Sequence, residues 1–267
     1  MWNKKIKTFI LATIALPYSY ASANESIVNL GVGASVAPVY EGSKKYQIGP
    51  SVEATYAYIS DDYGMFSVGL EGLAWGVSLT ENLTFFSSFG YDFGRDEEIG
   101  LLGNKNKDLK GMGDLDGSPL VGFALSYNLD NYEFYVSTDI ATAEREYGGR
   151  KVGRAVSVIL GANAMYEINE NWYIDYNIAT VWANESYNQI YFGVTKQQAK
   201  KSKFEEYDAG AGFKDVNSSL ILNYKVYENM TLYTGVGVYH LVGDAGNSTL
   251  TERQTGFTGM TGVSYTF

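Results

Sequence analysis

The feature that most constrains this chain is a period-two alternation that recurs along almost its whole length. From residue 172 the even positions read Trp172, Ile174, Tyr176, Ile178, Thr180, Trp182, and the odd ones Tyr173, Asp175, Asn177, Ala179, Val181. Successive side chains of a strand point to opposite faces, so one face here is apolar with Trp at both ends, and the other carries an acid and an amide near its middle. Val216 to Val226 repeats the pattern, with Asn217, Asn223 and Lys225 on the polar side, as does Tyr132 to Ile140, with Glu133 and Asp139. Pro119 to Tyr127 and Val156 to Tyr166 fit as well. A soluble sandwich also alternates, but its apolar face meets a second sheet and has no use for aromatic bands at the strand ends. A wall between lipid and a polar lumen does.

The spacing predicts about twelve strands, near 27–37, 46–59, 63–71, 73–79, 83–94, 117–128, 131–141, 152–167, 171–182, 215–227, 230–242 and 254–267. The connections alternate. Tight turns around Asp61-Asp62, Glu81-Asn82, Leu129-Asp130, Asn169-Glu170 and Glu228-Asn229 are interleaved with longer segments at 38–45, 95–116, 142–151, 183–214 and 243–253. The Gly72 hairpin is the one short member on the long-loop side. An even-stranded antiparallel up-and-down barrel with both termini in the periplasm produces this rhythm: tight periplasmic turns and long extracellular loops. After residue 23 no 18 apolar residues run together, which excludes helical membrane spans. Mean hydropathy is slightly negative, as expected of strands that are half polar.

The first 23 residues read as a cleaved signal peptide: Lys4, Lys5 and Lys7, an apolar stretch from Phe9 to Leu16, then Ala21-Ser22-Ala23. Cleavage is expected between Ala23 and Asn24, leaving 24–267 as one outer-membrane barrel domain with no linker or internal repeat. Losing three lysines and no acids takes the net charge from −10 to −13, which argues against nucleic acid as a partner. The absence of cysteine rules out disulfides, thiolate nucleophiles and zinc-thiolate sites. At the other end, Gly262-Val263-Ser264-Tyr265-Thr266-Phe267 resembles the C-terminal signal read by the barrel-assembly machinery, with Tyr265 and Phe267 on one face.

The loops carry a family resemblance. Residues 31–50 (GVGASVAPVYEGSKKYQIGP, with Tyr40, Glu41 and Gly42) and 93–97 (FGRDE, with Arg95 and Asp96) resemble the MipA/OmpV family of outer-membrane proteins. So do 111–117 (GMGDLDG), 189–194 (QIYFGV, with Tyr191, Phe192 and Gly193), 207–214 (YDAGAGFK, with Tyr207, Asp208 and Gly210) and 241–245 (LVGDA, with Gly243 and Asp244). The segments occur in order across essentially the whole mature chain; Lys44-Lys45 stands where the family is often acidic. The resemblance implies a barrel in the outer membrane of a Gram-negative bacterium, in contact with lipid and lipopolysaccharide, with no cofactor and no catalytic residues to carry over. One family member is a scaffold that brings a lytic murein transglycosylase to a murein polymerase. Others look like porins, adhesins or envelope-stress proteins. Scaffolding is the first expectation, a narrow cation-preferring channel the second, and a surface adhesin the third.

Residues that could carry chemistry are few. His240 is the single histidine, and no serine flanks it closely enough to be activated, so an interfacial packing role is expected rather than catalysis. Asp114 and Asp116, in Asp-Leu-Asp-Gly, resemble a fragment of a calcium loop, but such a site needs six to eight oxygen ligands; a solvated turn is the expectation. The loops 95–116 and 183–214 exceed the length at which structureless loops become uncommon, and either fold into the mouth or stay mobile at the surface. Asp92, Glu133, Asp139, Asp175, Asn163, Asn177, Asn223 and Lys225 are expected to face inward. They make either an acidic pore or a hydrogen-bonded plug, and small barrels usually fill their interior.

Overall fold

The computed structural model describes residues 25–101 and 104–267; the expected cleavage site at Ala23 and Asn24 lies outside them. The chain forms β1 (Glu25–Pro38), β2 (Tyr46–Ser60), β3 (Gly64–Gly69), β4 (Gly72–Ser78) and β5 (Leu83–Asp92). A loop hairpin, β6 (Ile99–Leu101) and β7 (Asn104–Asn106), precedes β8 (Ser118–Leu129) and β9 (Tyr132–Ala141). A second hairpin, β10 (Arg145–Tyr147) and β11 (Arg150–Val152), precedes β12 (Val156–Glu167) and β13 (Trp172–Ala183). Then come α1 (Glu185–Phe192), α2 (Lys196–Ala199), β14 (Gly212–Tyr227), β15 (Met230–Leu241), α3 (Gly243–Asn247) and β16 (Thr255–Thr266). Twelve of the strands close in sequence order into one antiparallel barrel, sealed where β1 pairs with β16 from Asn29↔Thr266 to Val36↔Gly259. Closure leaves no terminal edge strand, the condition for crossing a membrane with strands.

The alternation read from the sequence is the inside–outside code. Leu160, Tyr176, Ile178, Leu220, Val236 and Phe123 are exposed on the outer face. Inside, Glu133 accepts hydrogen bonds from Ser126 and from Asn163 (2.7 Å), Asn163 accepts from Asn177 (2.7 Å), and Asn177 also reaches the Tyr135 hydroxyl (3.0 Å). Asn223 donates to Asp175 (2.8 Å). The wall from β9 through β14 is therefore filled by a side-chain network, while Lys225 lies at its exposed periplasmic end over the Tyr173 ring. In β15 the inward Tyr233 and Tyr239 lie against Gly262 and Gly256, where a Cβ would come within 2.4 Å of the Tyr233 hydroxyl and 2.3 Å of the Tyr239 ring. Tyr135 covers Gly161 in the same way.

Several boundaries differ from the sequence reading for local reasons. β12 starts at Val156 and not 152, because Arg150–Val152 folds back on Arg145–Tyr147 around Gly148-Gly149, both at positive φ, the turn a two-residue hairpin needs. The strand expected to start at 215 begins at Gly212, with a register shift between Val181 and Trp182. That bulge turns two neighbours, Lys214 and Asp215, inward together. β3 and β4 are only six and seven residues long.

Candidate functional site

The outer ends of the loops form a second core, stacked on the barrel mouth. Asn184 caps α1 by accepting from the Tyr187 amide (2.9 Å), Glu185 stands in the first turn, where the helix dipole favours an acid, and Gly193 ends the helix by donating to Asn188 and Gln189 carbonyls. Thr195 and Gln198 form a reciprocal capping box that starts α2. Ile190 and Phe192 of α1 are fully buried against Leu115, Tyr147, Val152, Ala209 and the last inward residues of the barrel, Ala141 and Leu241. Beside them Val39, Tyr40, Leu109, Met112, Val194, Phe204 and Leu250 make a second cluster from four different loop segments. The loops at 95–116 and 183–214 are thus a cored cap over the mouth.

Charge ties the cap to the wall. Lys214, 4% exposed, donates to Glu41 (2.8 and 2.9 Å) and pairs with Asp215 at 2.7 Å. Arg145, also 4% exposed, pairs with Asp92 at 2.7 Å, and the Tyr191 hydroxyl donates to the same Asp92 oxygen (2.6 Å). Arg95 reaches the carbonyls of Tyr191 (3.0 Å) and Ile190 (3.4 Å) and the Tyr147 hydroxyl (3.1 Å), with the Tyr147 and Tyr191 rings beside it. Burial pushes the hydroxyls of Tyr40, Tyr187 and Tyr191 above the usual tyrosine range, so they stay neutral donors. At the rim, a hydrogen bond from Lys45 holds Asp108 below its ordinary value. Burial raises Glu252, but bonds from Lys203 and the Lys44 backbone outweigh it and leave it lowered.

The loop residues singled out by sequence are the cap's fasteners. Gly42 turns at positive φ and its amide donates to the Tyr239 hydroxyl (3.1 Å). Tyr207 donates to the Asp244 carbonyl (3.1 Å), and the Asp244 carboxylate accepts from the Gly210 amide (2.6 Å). Gly243, at positive φ, opens α3. Asp208 is exposed and pairs with Arg150 (2.8 Å), and Asp96 is half-buried beside Arg95. Asp114 accepts from the Glu97 amide (2.9 Å), Arg145 reaches the Asp116 carbonyl (3.3 Å), and Leu115 between them is buried. The Asp-Leu-Asp-Gly segment is a turn in this core, and among the described residues no three His, Cys, Asp or Glu side chains cluster as metal ligands. His240 faces outward and shares a 2.9 Å hydrogen bond with Thr255. Tyr265 and Phe267 stack edge-to-face on the outer surface at 4.6 Å, and the Phe267 amide donates to Val28 across the seam. Sequence reasoning missed the three loop helices, the Arg145 contact and the inward turn of Lys214. The Asn184-Glu185 cap and the Thr195-x-x-Gln198 box were legible signals for α1 and α2, whereas α3 has no side-chain cap to read.

A closed twelve-stranded barrel with an apolar outer belt, a polar lumen and a cored cap is a transmembrane barrel of the Gram-negative outer membrane. The chain belongs to the family described as MltA-interacting protein MipA, whose family model matches residues 30–267. No curated protein matches the sequence. Among solved structures, it is similar to OmpT of Vibrio cholerae at 10% identity and TM-score 0.42, covering 94% of this chain and 100% of the other. It is also similar to an outer membrane channel of Pseudomonas putida F1 (13%, 0.45, covering 94% and 98%). A third is the toluene transporter TodX of Pseudomonas putida (12%, 0.41, covering 92% and 90%).

Proposed function

We propose that this protein is a non-enzymatic scaffold that holds murein-processing enzymes at the inner face of the outer membrane. The observation that carries the reading is the cored cap over the outer mouth. A buried cap fastened by Lys214, Arg95 and Arg145 occupies the axial path, which suits an anchor better than a pore. The family's description as an MltA-interacting protein points to a murein enzyme as partner. The end left to meet a periplasmic partner is the ring of tight turns, where Asp61, Asp62, Glu81, Asp130, Glu170 and Glu228 make an acidic rim suited to a basic surface. Turn chemistry alone also selects Asp and Asn, so the rim supports the reading only alongside the family. Lipopolysaccharide and the assembly machinery are further proposed partners, at the outer belt and at the Tyr265–Phe267 strand end.

Photo-crosslinkers at Glu81 and Glu228, with Asp108 on the cap as the comparison, test this in intact cells by mass spectrometry of the captured proteins. Murein transglycosylases or polymerases captured from the turns and not from the cap are expected. Recovery of only lipopolysaccharide and assembly factors from the turns overturns the scaffold. Deleting 185–206 is not a clean test of an adhesin, because it removes α1 and with it the centre of the cap core. Planar-bilayer conductance addresses the channel alternative.

A further inference from the structure

The barrel wall is incomplete at one place in the outer half of the membrane. β2 pairs with β1 along its whole length, from Pro38↔Tyr46 to Glu25↔Ile59. With β3 it pairs only from Thr55↔Gly69 to Ser60↔Gly64. On the other side, the last pair of β4 with β5 is Gly72↔Gly90. The β3–β4 hairpin therefore turns back at Leu70-Glu71, well short of the roughly 9–11 residues a strand needs to cross a bilayer. Above it β2 and β5 do not pair, so residues 46–54 of β2 show a free edge to a gap about 14 Å wide, three inter-strand spacings of about 4.8 Å. The gap is closed overhead: Lys45 pairs with Asp108 at 2.7 Å, and Val39 and Tyr40 pack against Leu109 and Met112. It is a bounded window.

The two sides of this window differ. Its outer rim lies in the apolar belt: Ile48, Val52 and Leu70 are 75%, 53% and 61% exposed, and Tyr91 and Phe93 stack on the β5 side. Just below, an outer-face groove of about 520 Å³ runs past Tyr56, Phe66, Leu73, Trp75 and Phe89. Its inner rim is small and polar, with Gly49, Ser51 and Glu53 on β2 and Ser88 and Gly90 on β5. Hydrocarbon cannot satisfy the N–H and C=O groups of a free strand edge, so the occupant has to bring a hydrogen-bonding end. The inward carboxylates here are Glu53, held by Asn29 at 2.6 Å, and Asp139, whose oxygen lies by Gly122 and Ser88 and which has no hydrogen-bond partner among the described residues. The inward lysines, Lys214 and Lys225, are at the two ends of β14, on another part of the wall. A phosphate head would meet the carboxylates of Glu53 and Asp139, and the nearest cations, Lys45 overhead and Arg145 at the end of β5, are already paired with Asp108 and Asp92.

We propose that the window is a lateral binding site for a single-chain cationic amphiphile drawn from the outer leaflet, its chain in the groove and its head at Glu53 inside the lumen. With a cored cap standing over the axial route, the window offers a way in through the wall. The proposal goes beyond scaffolding and is independent of it.

The chain has no cysteine, so a single fluorophore can be placed cleanly. Ser88→Cys, exposed and inward beside the window, serves as reporter, and Ser219→Cys on the inner wall of β14 as comparison. Labelled protein in nanodiscs is titrated with a nitroxide-bearing dodecyl ammonium amphiphile, and separately with its dodecyl sulfate counterpart. Saturable quenching by the cationic probe at position 88, at least three-fold stronger than at 219 and than with the anionic probe, is expected. Glu53→Gln, placed in the Ser88→Cys background, should weaken the cationic probe's apparent affinity about five-fold or more while heat-modifiable migration stays unchanged. Non-saturable quenching, equal quenching at both positions, equal response to both probes, or an unchanged affinity in Glu53→Gln overturns the proposal. If Glu53→Gln fails to fold, the comparison of positions and probes still decides.

Discussion

Replacing Lys214 by alanine tests whether the cap is held by buried charge or merely rests on the mouth. The ammonium is 4% exposed and lies 2.7 Å from Asp215, itself 4% exposed, and 2.8 Å from Glu41, which is 43% exposed. Removing it leaves Asp215 buried with, among the described residues, only the Asn217 amide as side-chain partner (2.7 Å), whereas Glu41 can turn to water. Removing one partner of a buried pair costs about 3–5 kcal/mol, most of it the price of the uncompensated charge. At about 1.4 kcal/mol per decade, the population of open cap should rise from about 10²-fold to a few thousand-fold. Trypsin reads this directly, because Lys196, Lys200 and Lys201 sit in and beside α2 and are cut when the cap opens; cleavage tracks the open population if reclosing is fast. The barrel itself should remain heat-modifiable. Glu41→Gln, which leaves the Asp215 pair intact, should accelerate cleavage by no more than about ten-fold. Lys214→Met combined with Asp215→Asn, which removes the charge and its partner together, should return most of the protection. A Lys214→Ala protein cut within three-fold of the parent rate would refute the reasoning.

Three further outcomes follow from the geometry. Ile178→Arg, on the lipid face, should lower urea resistance in vesicles by about 2–4 kcal/mol, clearly more than Asn177→Arg beside Asp175 inside; the reverse order would place this strand one residue out of register. Gly161→Ala, whose Cβ would come within 2.4 Å of the Tyr135 ring, should cost about 1–3 kcal/mol, and much less in a Tyr135→Leu background; additive costs would show that the ring simply moves away. The Lys45–Asp108 and Lys203–Glu252 contacts hold both carboxyls below their ordinary values, so their stabilisation is full above the unfolded carboxylate range and is lost as pH falls through the lowered values. Amides of 108–112 should then lose hydrogen-exchange protection, corrected for intrinsic rate, below about pH 4 and not between pH 5 and 8; protection unchanged at pH 3 would remove the ion pairs from the account.

The barrel was legible in the sequence because a strand wall between lipid and lumen writes its two solvents into alternate residues. Trp172 to Trp182 states its register without any neighbour, and the tight-turn and long-loop rhythm states the topology. The loop motifs were legible as landmarks, but their purpose was not. Glu41 and Lys214 are 173 positions apart, and no periodicity links them; only closure of the barrel brings β1's loop over the start of β14. The bulge that turns Lys214 inward beside Asp215 depends on a register shift against β13, a property of two strands together. The same holds for the window. That the segments near 63–71 and 73–79 were short could be read from the chain, but a short hairpin is unremarkable until pairing shows that nine residues of β2, paired with β1 on one side, have no paired strand among the described residues on the other. Alternation is local, since each residue meets one solvent. The cap core and the gap are set by contacts between distant segments, which exist only once the barrel has closed.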